Sequence, residues 1–415
     1  MMGEADGICE EVIHGEPMQD RIEELDALRG LMPVWITCTH LPTILSAYIN
    51  QPLGFFSATE GFIFLSALFT GRIYFRIAES NGYGAMWWKL WMRTGKLYCY
   101  QLLLLAFAFV IEAPIAAHGN TPAVHNLLDF YFAASHTRAF VDAALMIYRP
   151  PLLDILPIYI ILIALTPFAL MLGERLGWRY ALAGGFTLWL LAQFGFRSFV
   201  YHVQSRAFGM QIPLNEMGAF DLWAWQLWWL VGLWSGVRWA KNDFRLDWVR
   251  RITIPAALVA IFFLILRYAQ VDGVITFGKS GLLLDKWDFG LGRIINFSAV
   301  SVLAIRFRSA LRLLAIRPLV MLGQSSLSVF CVHLLCVFFA LTIMGNALIL
   351  RDSTGIIVIL TSLSALLLTA KIATNRRANA KTVTPNQKVS FSPLSVRFFR
   401  PFHLLRGQVN VNKPS

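Results

Sequence analysis

The sequence predicts an all-α membrane protein, a polytopic bundle of about ten transmembrane helices with both termini in the cytoplasm. Of its 415 residues, 57% are apolar and only 14% are charged, whereas soluble domains carry about 45–50% and about 25%. The mean hydropathy is +0.59. Ten stretches are apolar over roughly the 20 residues that a helix needs to cross a bilayer. This composition excludes an ordinary soluble domain, a disordered chain and a disulfide scaffold.

The predicted spans follow one another through most of the chain. No apolar run follows a basic start within the first 30 residues, so we expect no cleavable signal peptide and a first span that is retained. The spans lie near residues 31–49, 53–71, 97–113, 152–172, 178–196, 220–237, 252–269, 287–305, 318–343 and 354–370.

Lysine and arginine predict the orientation, because basic loops remain in the cytoplasm. With ten spans the termini share one side, and 27 of the Lys and Arg residues fall on that side against 7 on the other. The bias predicts cytoplasmic termini. Although the formal net charge is +12, the basic residues lie between apolar runs rather than on one face, so nucleic acid is not an expected partner.

The residues outside lipid form no separate soluble domain. Residues 1–20 hold six acidic and no basic residues, which predicts a disordered N-terminus. Residues 371–415 hold nine basic and no acidic residues, which predicts a disordered cytoplasmic tail drawn to anionic lipid. The membrane domain lies between them, at 21–370, and its stretch from 125 to 148 has the mixed polarity of a helix on the outer surface. The five cysteines contain no CxxC pair, so they are interpreted as buried hydrophobic residues and no metal site is expected.

Arg29 and His40 are the first functional candidates, because an ionisable group at membrane depth is costly unless it is paired or faces water. Eleven residues separate them, which places them about 20° apart around a helix and about 16 Å apart along it. Arg29 is then expected at the cytoplasmic mouth and His40 near mid-membrane on the same face. Taken alone, Arg29 can also be a residue that snorkels to headgroups, and His40 a hydrogen-bonded packing residue.

Glu60 favours a functional interpretation of His40. It lies eight residues into the second predicted span, at nearly the depth of His40, where a carboxylate and an imidazole can form a charge pair or an acid-base dyad. Four tryptophans of the sixth span fit either interfacial and interhelical packing or a platform for sugar stacking. Further polar residues predict a cavity that opens outward: Asp154, Asp221, Gln226, Arg293, Asn296, Gln324 and His333.

Motifs along the chain resemble a known family. Arg29 and His40, with ten residues between them and Leu-Asp-Ala-Leu at 25–28, are similar to the first-helix signature of the acyltransferase-3 superfamily of membrane proteins. Further motifs resemble the OpgC family in that superfamily, over about residues 21–370. These motifs are Asn-Gln-Pro-Leu-Gly-Phe at 50–55, Ala-Thr-Glu-Gly-Phe-Ile-Phe-Leu-Ser at 58–66, Leu-Asp-Ile-Leu-Pro-Ile-Tyr at 153–159, Trp-Ala-Trp-Gln-Leu at 223–227 and Leu-Gly-Gln-Ser-Ser-Leu-Ser-Val-Phe at 322–330.

The resemblance implies a multi-pass acyltransferase of the bacterial cytoplasmic (inner) membrane. OpgC-type proteins place succinyl groups on osmoregulated periplasmic glucans, with acyl-CoA from the cytoplasm as the donor substrate, so no bound cofactor is expected. The resemblance implies that His40 is essential for transfer, that Arg29 is its partner or a donor ligand, and that Glu60 belongs to the catalytic set. Other positions are expected to bind substrate: Asp26, Asp154, Gln226, Arg293, Gln324 and His333.

These residue types suit acyl transfer. As a general base, His40 would take a proton from a sugar hydroxyl while Glu60 or Asp26 orients its ring. Guanidinium and ammonium groups complement phosphate, so we expect Arg29 to hold the donor phosphates together with three basic residues of the 72–96 loop. Those three are Lys89, Arg93 and Lys96.

Two points of mechanism stay open in the sequence. Arg293 or Gln324 is a candidate to stabilise the oxyanion. The acyl group can pass directly to the sugar, or His40 can be acylated first.

Two other classes of protein compete with the enzyme. A proton-coupled secondary transporter of an anionic or sugar-like solute also places His, Glu, Asp and Arg within the membrane. The motifs and the absence of inverted repeats in the sequence favour the enzyme over the transporter. An assembly or sensing protein without chemistry gives no reason for Arg29 and His40 to share one helix face with Glu60 at the level of His40.

Overall fold

The computed structural model describes residues 22–119, 121–243, 246–271, 283–347, 349–350 and 352–383. Within these ranges the chain is helical, and the β contact found there is an isolated bridge between Thr43 and Leu350. The all-α prediction is confirmed for this part of the chain. The predicted acidic N-terminus at 1–20 and the predicted tail beyond residue 383 lie outside the described residues.

Long helices joined by short ones make up the described chain, and we number them in chain order. They are α1 (Glu23–His40), α2 (Ser46–Ile49), α3 (Ala58–Phe107), α4 (Ala113–His118), α5 (Pro122–Leu127), α6 (Asp129–Ala133), α7 (His136–Ala144), α8 (Ile155–Leu172), α9 (Trp178–Gln193), α10 (Phe196–Phe208), α11 (Leu222–Ala240), α12 (Asp247–Val271), α13 (Leu291–Arg306), α14 (Arg308–Leu311), α15 (Arg317–Gln324), α16 (Ser326–Met344) and α17 (Asp352–Val383). Two π-helical turns, Ala108–Glu112 and Gly173–Gly177, continue α3 and α8.

Several helices have the length and hydropathy of membrane spans. Five helical stretches of the described chain pass this test. A sixth span is added if Leu291–Arg306 and Arg308–Leu314, which meet at a bend of 83°, are counted together. A multi-pass helical membrane protein is therefore supported, whereas the count of ten spans and the cytoplasmic termini stay predictions. The five are Ala58–His118, Ile155–Gln193, Asp247–Gln270, Ser326–Met344 and Ser353–Asn379.

The first of these stretches, Ala58–His118, folds back on itself at Gly82. Gly82 has φ 84° and ψ 164°, which interrupt the helix and suit a residue without a Cβ. Arg93 Nη1 donates a hydrogen bond to Thr70 Oγ1 at 3.1 Å across a sequence separation of 23 residues. A straight helix of that length would hold the two residues about 35 Å apart. Residues 58–81 and 83–118 therefore run beside each other as two helices.

The second long stretch, Ile155–Gln193, also folds back, at the π-helical turn that ends on Gly177 (φ 103°). Thr166 in α8 accepts a hydrogen bond from Trp229 at 3.0 Å. Gly185 in α9 accepts one from Gln226 at 2.6 Å, and these two donors lie about one turn apart in α11. Helices α8 and α9 therefore both pack along α11 instead of forming one rod.

The first helix ends earlier than the predicted span at 31–49. It stops at His40, and Leu41 is extended with φ −64° and ψ 131°, because Pro42 follows and a residue before proline disfavours the helical conformation. His40 therefore lies at the C-terminal end of its helix rather than within it. Each of the other predicted spans overlaps an observed helix, and Ser325 divides the span at 318–343 into α15 and α16.

Glycines allow two close helix crossings that position the helices of the site. Gly71 of α3 lies against the backbone of Leu233 in α11, and Gly236 of α11 lies equally close to the backbone of α3. Gly30 of α1 and Gly323 of α15 each lie against the backbone of the other helix. Small residues let helix backbones approach within a membrane protein. The helices that carry Arg29, His40 and Glu60 are held in place by these crossings.

Two other segments differ from the predictions. Helix α17 continues to Val383, so residues 371–383 are helical where the sequence predicted the start of a disordered tail. Arg377 gives a reason, because its Nη1 donates to the backbone oxygen of Gln324 at 3.0 Å and so joins α17 to the end of α15. The predicted surface helix at 125–148 is replaced by parts of three short helices, α5, α6 and α7.

Candidate active site

Two cavities lie along α1. The basic cavity has a volume of about 90 Å³, and its lining includes Arg29, Arg93, Lys96 and Arg377. The histidine cavity has a volume of about 340 Å³, and its lining includes His40. Arg29 and His40 are eleven residues apart in one helix, so the two residues lie about 16 Å apart along its axis. The sequence predicted one polar cavity that opens outward, with Arg29 at the cytoplasmic mouth, rather than two cavities.

The basic cavity is suited to an anion with several oxygen atoms. The Nε atom of Arg29 has no hydrogen-bond partner among the described residues, and its guanidinium carbon lies 5.6 Å from the centre of the Phe69 ring. Arg93 Nη2 donates to the hydroxyl of Tyr159 at 2.8 Å. Gln324 also lines this cavity. Guanidinium and ammonium groups in such a cluster complement phosphate, whereas Lys89, a further predicted phosphate ligand, is absent from the lining.

An apolar partition separates the two cavities. We define it as Phe62, Ile155 and Phe330, the three side chains that line both spaces. The rings of Phe62 and Phe330 stack with their centroids 5.8 Å apart and their planes 21° apart. A substrate that reaches from the basic cavity to His40 must therefore pass between these side chains.

His40 belongs to a hydrogen-bonded chain with His333 and Thr37. The Nδ1 atom of His40 lies 3.3 Å from Nε2 of His333, and Nδ1 of His333 lies 3.2 Å from Oγ1 of Thr37. Thr37 Oγ1 donates to the backbone oxygen of Pro33 at 2.6 Å. His333 and Thr37 are fully buried, whereas His40 is half-buried and faces the histidine cavity.

These contacts assign the tautomers of both histidines in their neutral forms. A carbonyl oxygen only accepts, so the Thr37 hydroxyl proton points to Pro33 and the hydroxyl oxygen accepts from Nδ1–H of His333. A neutral imidazole has one donor and one acceptor nitrogen, so Nε2 of His333 accepts from Nδ1–H of His40. The remaining nitrogen of His40, Nε2, is therefore unprotonated. This is the form in which a histidine acts as a general base.

Glu60 and His40 do not form the predicted pair. Oε1 of Glu60 accepts from Nε of Arg293 at 2.8 Å and also from its Nη2. Oε2 accepts from the backbone N–H of Ser57 at 2.9 Å and from its hydroxyl at 2.5 Å. Ser57 is the N-cap of α3 and Glu60 its third residue, so the two form a capping box. Glu60 is thus engaged on both oxygens, and Arg293 is bound to it outside the lining of either cavity.

Helix α13 anchors the loop before α3 through a second residue, Asn296. Its Oδ1 accepts from the backbone N–H of Phe55 at 2.6 Å, and its Nδ2 donates to the backbone oxygen of Leu53 at 3.4 Å. Thr59 and Phe62 follow within the first turns of α3 and line the histidine cavity. The polar contacts of α13 therefore position one wall of the cavity that contains His40.

The other residues predicted to bind substrate fall into different surroundings. Asp154 lines the histidine cavity, and its Oδ2 accepts from the backbone N–H of Ala219 at 3.0 Å. His333 lies behind His40 rather than in the lining. Gln226 donates to backbone oxygens of α9 and of its own helix, and Asp26 is buried in α1. Neither Gln226 nor Asp26 lines the basic cavity or the histidine cavity.

The tryptophans of α11 pack helices and do not line either cavity. Trp228 donates to the backbone oxygen of Glu60 at 3.1 Å, and Trp225 to that of Trp287 at 3.0 Å. Both are buried. These contacts support interhelical packing over the sugar-stacking alternative. Trp287, which the sequence did not single out, lines the histidine cavity instead.

Sequence reasoning missed three basic residues in the cavity linings: Arg377, Arg149 and Lys286. Arg377 fell in the predicted tail. The other two were counted only as basic residues of the outer side, although basic residues are scarce there and one beside a span is a signal of function. Burial, followed by the nearby Arg197, lowers the pKa of Arg149 to about 10, while Asp154 raises it.

A family model described as OpgC protein matches residues 21–378. No curated protein and no solved structure matches the chain.

The replacement Glu60→Ala is expected to lower the free energy of unfolding by about 3–5 kcal/mol, because it leaves Arg293 as an unpaired buried charge. The double replacement Glu60→Leu with Arg293→Met should recover most of this loss, since both charges are then removed. Thermal unfolding in detergent measures both variants.

The control for that experiment is Asp243→Ala, which removes the carboxylate of an exposed pair with Arg238 at 2.9 Å. It is expected to change the free energy of unfolding by less than about 1 kcal/mol. A single Glu60 variant as stable as this control would contradict the anchoring role of Glu60.

Proposed function

Because the chain belongs to the OpgC family, we propose that it is a membrane-embedded O-acyltransferase that moves an acyl group from cytoplasmic acyl-CoA onto a hydroxyl of a periplasmic glucan or related glycan. The expected acyl group is succinyl. One observation carries this proposal. His40, whose Nε2 is left unprotonated by its hydrogen-bond assignment, lines a cavity of about 340 Å³, and an apolar partition separates that cavity from a basic one.

The proposed topology has ten spans in the bacterial inner membrane. The fold-back at Gly82 and the one at Gly177 divide two long stretches into four spans. Helices α1, α11, α12, α13, α16 and α17 supply the other six. The excess of basic residues on the side of the termini favours cytoplasmic termini. In this orientation the basic cavity, near the N-terminal half of α1, faces the cytoplasm, and the histidine cavity opens to the periplasm.

The basic cavity would hold the phosphates of the donor. Its four basic side chains suit the charge of the nucleotide end of an acyl-CoA. The arm that carries the thioester is uncharged, so the distal carboxylate of a succinyl group is the one charge that must cross the apolar partition when Phe62 or Phe330 changes rotamer. This crossing would bring the thioester carbonyl to His40. The acceptor glycan would enter the wider cavity from the other side, past Arg149 and Trp287.

The proposed step is direct transfer with His40 as the general base. Nε2 of His40 takes the proton of the sugar hydroxyl, and the hydroxyl oxygen attacks the thioester carbonyl. The carbon–sulfur bond then breaks, and the departing thiolate takes the proton from His40. His333 keeps the ring in the required tautomer, which is the part that the sequence assigned to Glu60 or Asp26. Transfer through acylated Nε2 is compatible with the same geometry.

Oxyanion stabilisation needs a donor inside the histidine cavity. Arg293 is bound to Glu60, and Gln324 lies in the basic cavity on the other side of the partition. Thr59 lines the histidine cavity together with His40. Its hydroxyl is therefore the candidate that replaces the two residues named from the sequence.

A proton-coupled secondary transporter of an anionic or sugar-like solute is the second candidate. Two cavities on either side of an apolar partition also suit alternating access. The OpgC family match favours the enzyme. The two functions differ in one outcome, because a transporter releases its solute chemically unchanged.

The variant His40→Ala is expected to reduce acyl transfer by about 10²–10⁴-fold, because the general base is lost. The measurement is transfer of label from succinyl-CoA to a β-glucan by the purified protein in nanodiscs. His202→Ala is the matched control, since His202 is an exposed histidine outside both cavities. Full activity of a correctly folded His40→Ala protein would rule out the mechanism, and no transfer by the folded wild type would favour the transporter.

The variant Thr37→Val tests the hydrogen-bonded chain in the same assay. Valine removes the acceptor that holds His333 in its tautomer, so kcat should fall about tenfold, the equivalent of one hydrogen bond of about 1.4 kcal/mol, while KM for the donor is retained. Thr37→Ser keeps the hydroxyl and should restore most of kcat. Equal kcat values for the valine and serine variants would contradict the proposed role of the chain.

The variant Arg377→Ala tests the basic cavity. Loss of one charge-assisted phosphate contact should raise KM for acyl-CoA about tenfold and leave kcat within a fewfold. Arg376→Ala is the control, because the neighbouring side chain is exposed and lies outside the cavity lining. The same KM in both variants would exclude Arg377 from donor binding.

A further inference from the structure

Lys286 is a cation in the histidine cavity that the proposed mechanism does not use. It lies in the segment before α13 and lines the cavity with His40 and Thr59. Among the described residues, its Nζ has no hydrogen bond and no carboxylate within 4 Å. Its contacts are aromatic, with Nζ 5.1 Å from the centre of the Trp287 ring and 5.9 Å from that of Phe220.

The two carboxylates that interact electrostatically with Lys286, those of Glu60 and Asp154, are already engaged by other groups. Glu60 binds Arg293 and Ser57, and Asp154 accepts from a backbone N–H. Burial is the largest influence on the pKa of Lys286 and lowers it, Arg293 lowers it too, and Glu60 and Asp154 raise it. A cation in these surroundings is stabilised by an anion that enters the cavity beside it.

The position of Lys286 indicates which part of a substrate that anion belongs to. Lys286 lines the same cavity as His40 and interacts electrostatically with His40 and with Asp154. An anion bound to Lys286 therefore lies in the cavity where the acyl carbonyl is proposed to react. Arg149 is a second cation in that lining, and its charged neighbours are Arg197 and Asp154.

We propose that Lys286 selects acyl groups that end in a carboxylate, by binding the distal carboxylate of the acyl chain while its carbonyl lies at Nε2 of His40. This inference rests on the proposed acyltransferase function. It makes Lys286 a specificity-determining residue for the succinyl group that the proposed function expects. Two other roles compete: stabilisation of the oxyanion, and binding of an anionic substituent on the glycan.

The experiment compares two donors that differ in the distal group alone. Succinyl-CoA and butyryl-CoA both carry four-carbon acyl groups, and only the first ends in a carboxylate. For Lys286→Met, the ratio of kcat/KM for succinyl to that for butyryl is expected to fall about 100-fold with a neutral β-glucan acceptor, because one charge-assisted contact is lost. Lys286→Arg should retain most of the wild-type ratio. Lys241→Met is the control, since Lys241 pairs with Glu174 at 2.8 Å outside both cavities.

Three outcomes would overturn the inference. If Lys286→Met lowers kcat/KM equally for both donors, Lys286 stabilises the oxyanion. If kcat/KM is unchanged for both donors, Lys286 is excluded from the reaction. If kcat/KM falls only with a glucan that carries anionic substituents, and not with the neutral glucan, the anion belongs to the acceptor.

A binding measurement separates this inference from the proposed function. In the His40→Ala background, succinyl-CoA should raise the unfolding temperature more than butyryl-CoA does, and Lys286→Met should abolish that difference. If the wild type transfers neither acyl group but shows this difference, the function fails and the anion site stands. If the wild type transfers the acyl group but succinyl-CoA and butyryl-CoA raise the unfolding temperature of the His40→Ala protein equally, the function stands and the inference fails.

Discussion

The buried contact between Arg293 and Glu60 is the interaction on which the rest of the site depends. Removing two charges from water costs several kcal/mol for each ion, so such a pair persists only when its hydrogen bonds are well satisfied. Here both oxygens of Glu60 are bound, one by Arg293 and the other by Ser57. The pair therefore determines where α3 begins. Thr59 and Phe62 lie within the turns that follow, so the wall of the histidine cavity and the apolar partition are both positioned from α13 through this contact.

The second constraint is directional. The backbone oxygen of Pro33 accepts a hydrogen bond from the Thr37 hydroxyl, and this one assignment sets the donors and acceptors along the chain to His40. The end of α1 places this chain beside the cavity, because the helix stops at His40 and the His40 side chain lines the cavity from the last turn. The base, the partition and the basic cavity are thus arranged along a single helix and its neighbours. This arrangement suits a reaction whose two substrates arrive from opposite sides of a membrane.

The all-α, multi-pass character of the chain could be predicted from the sequence because hydropathy reports on the surrounding lipid. The placement of Arg29 and His40 along one helix followed from helix geometry alone. The partner of Glu60 did not follow, since depth in the membrane gives the level of a residue but not which of several helices faces it, and Arg293 is 233 residues away. Arg377 was missed for a different reason. A basic, weakly apolar stretch is typical of a tail, and only its contact with Gln324 explains why the helix continues.

In the proposed reaction, a donor held on one side of the partition reaches an acceptor on the other. The most direct measurement uses proteoliposomes with the protein in one orientation, labelled succinyl-CoA supplied at the face of the basic cavity and β-glucan at either face. Label is expected to reach the glucan only when the two substrates are on opposite sides of the bilayer. Label that reaches the glucan only when both substrates are on the same side would contradict the proposed reaction.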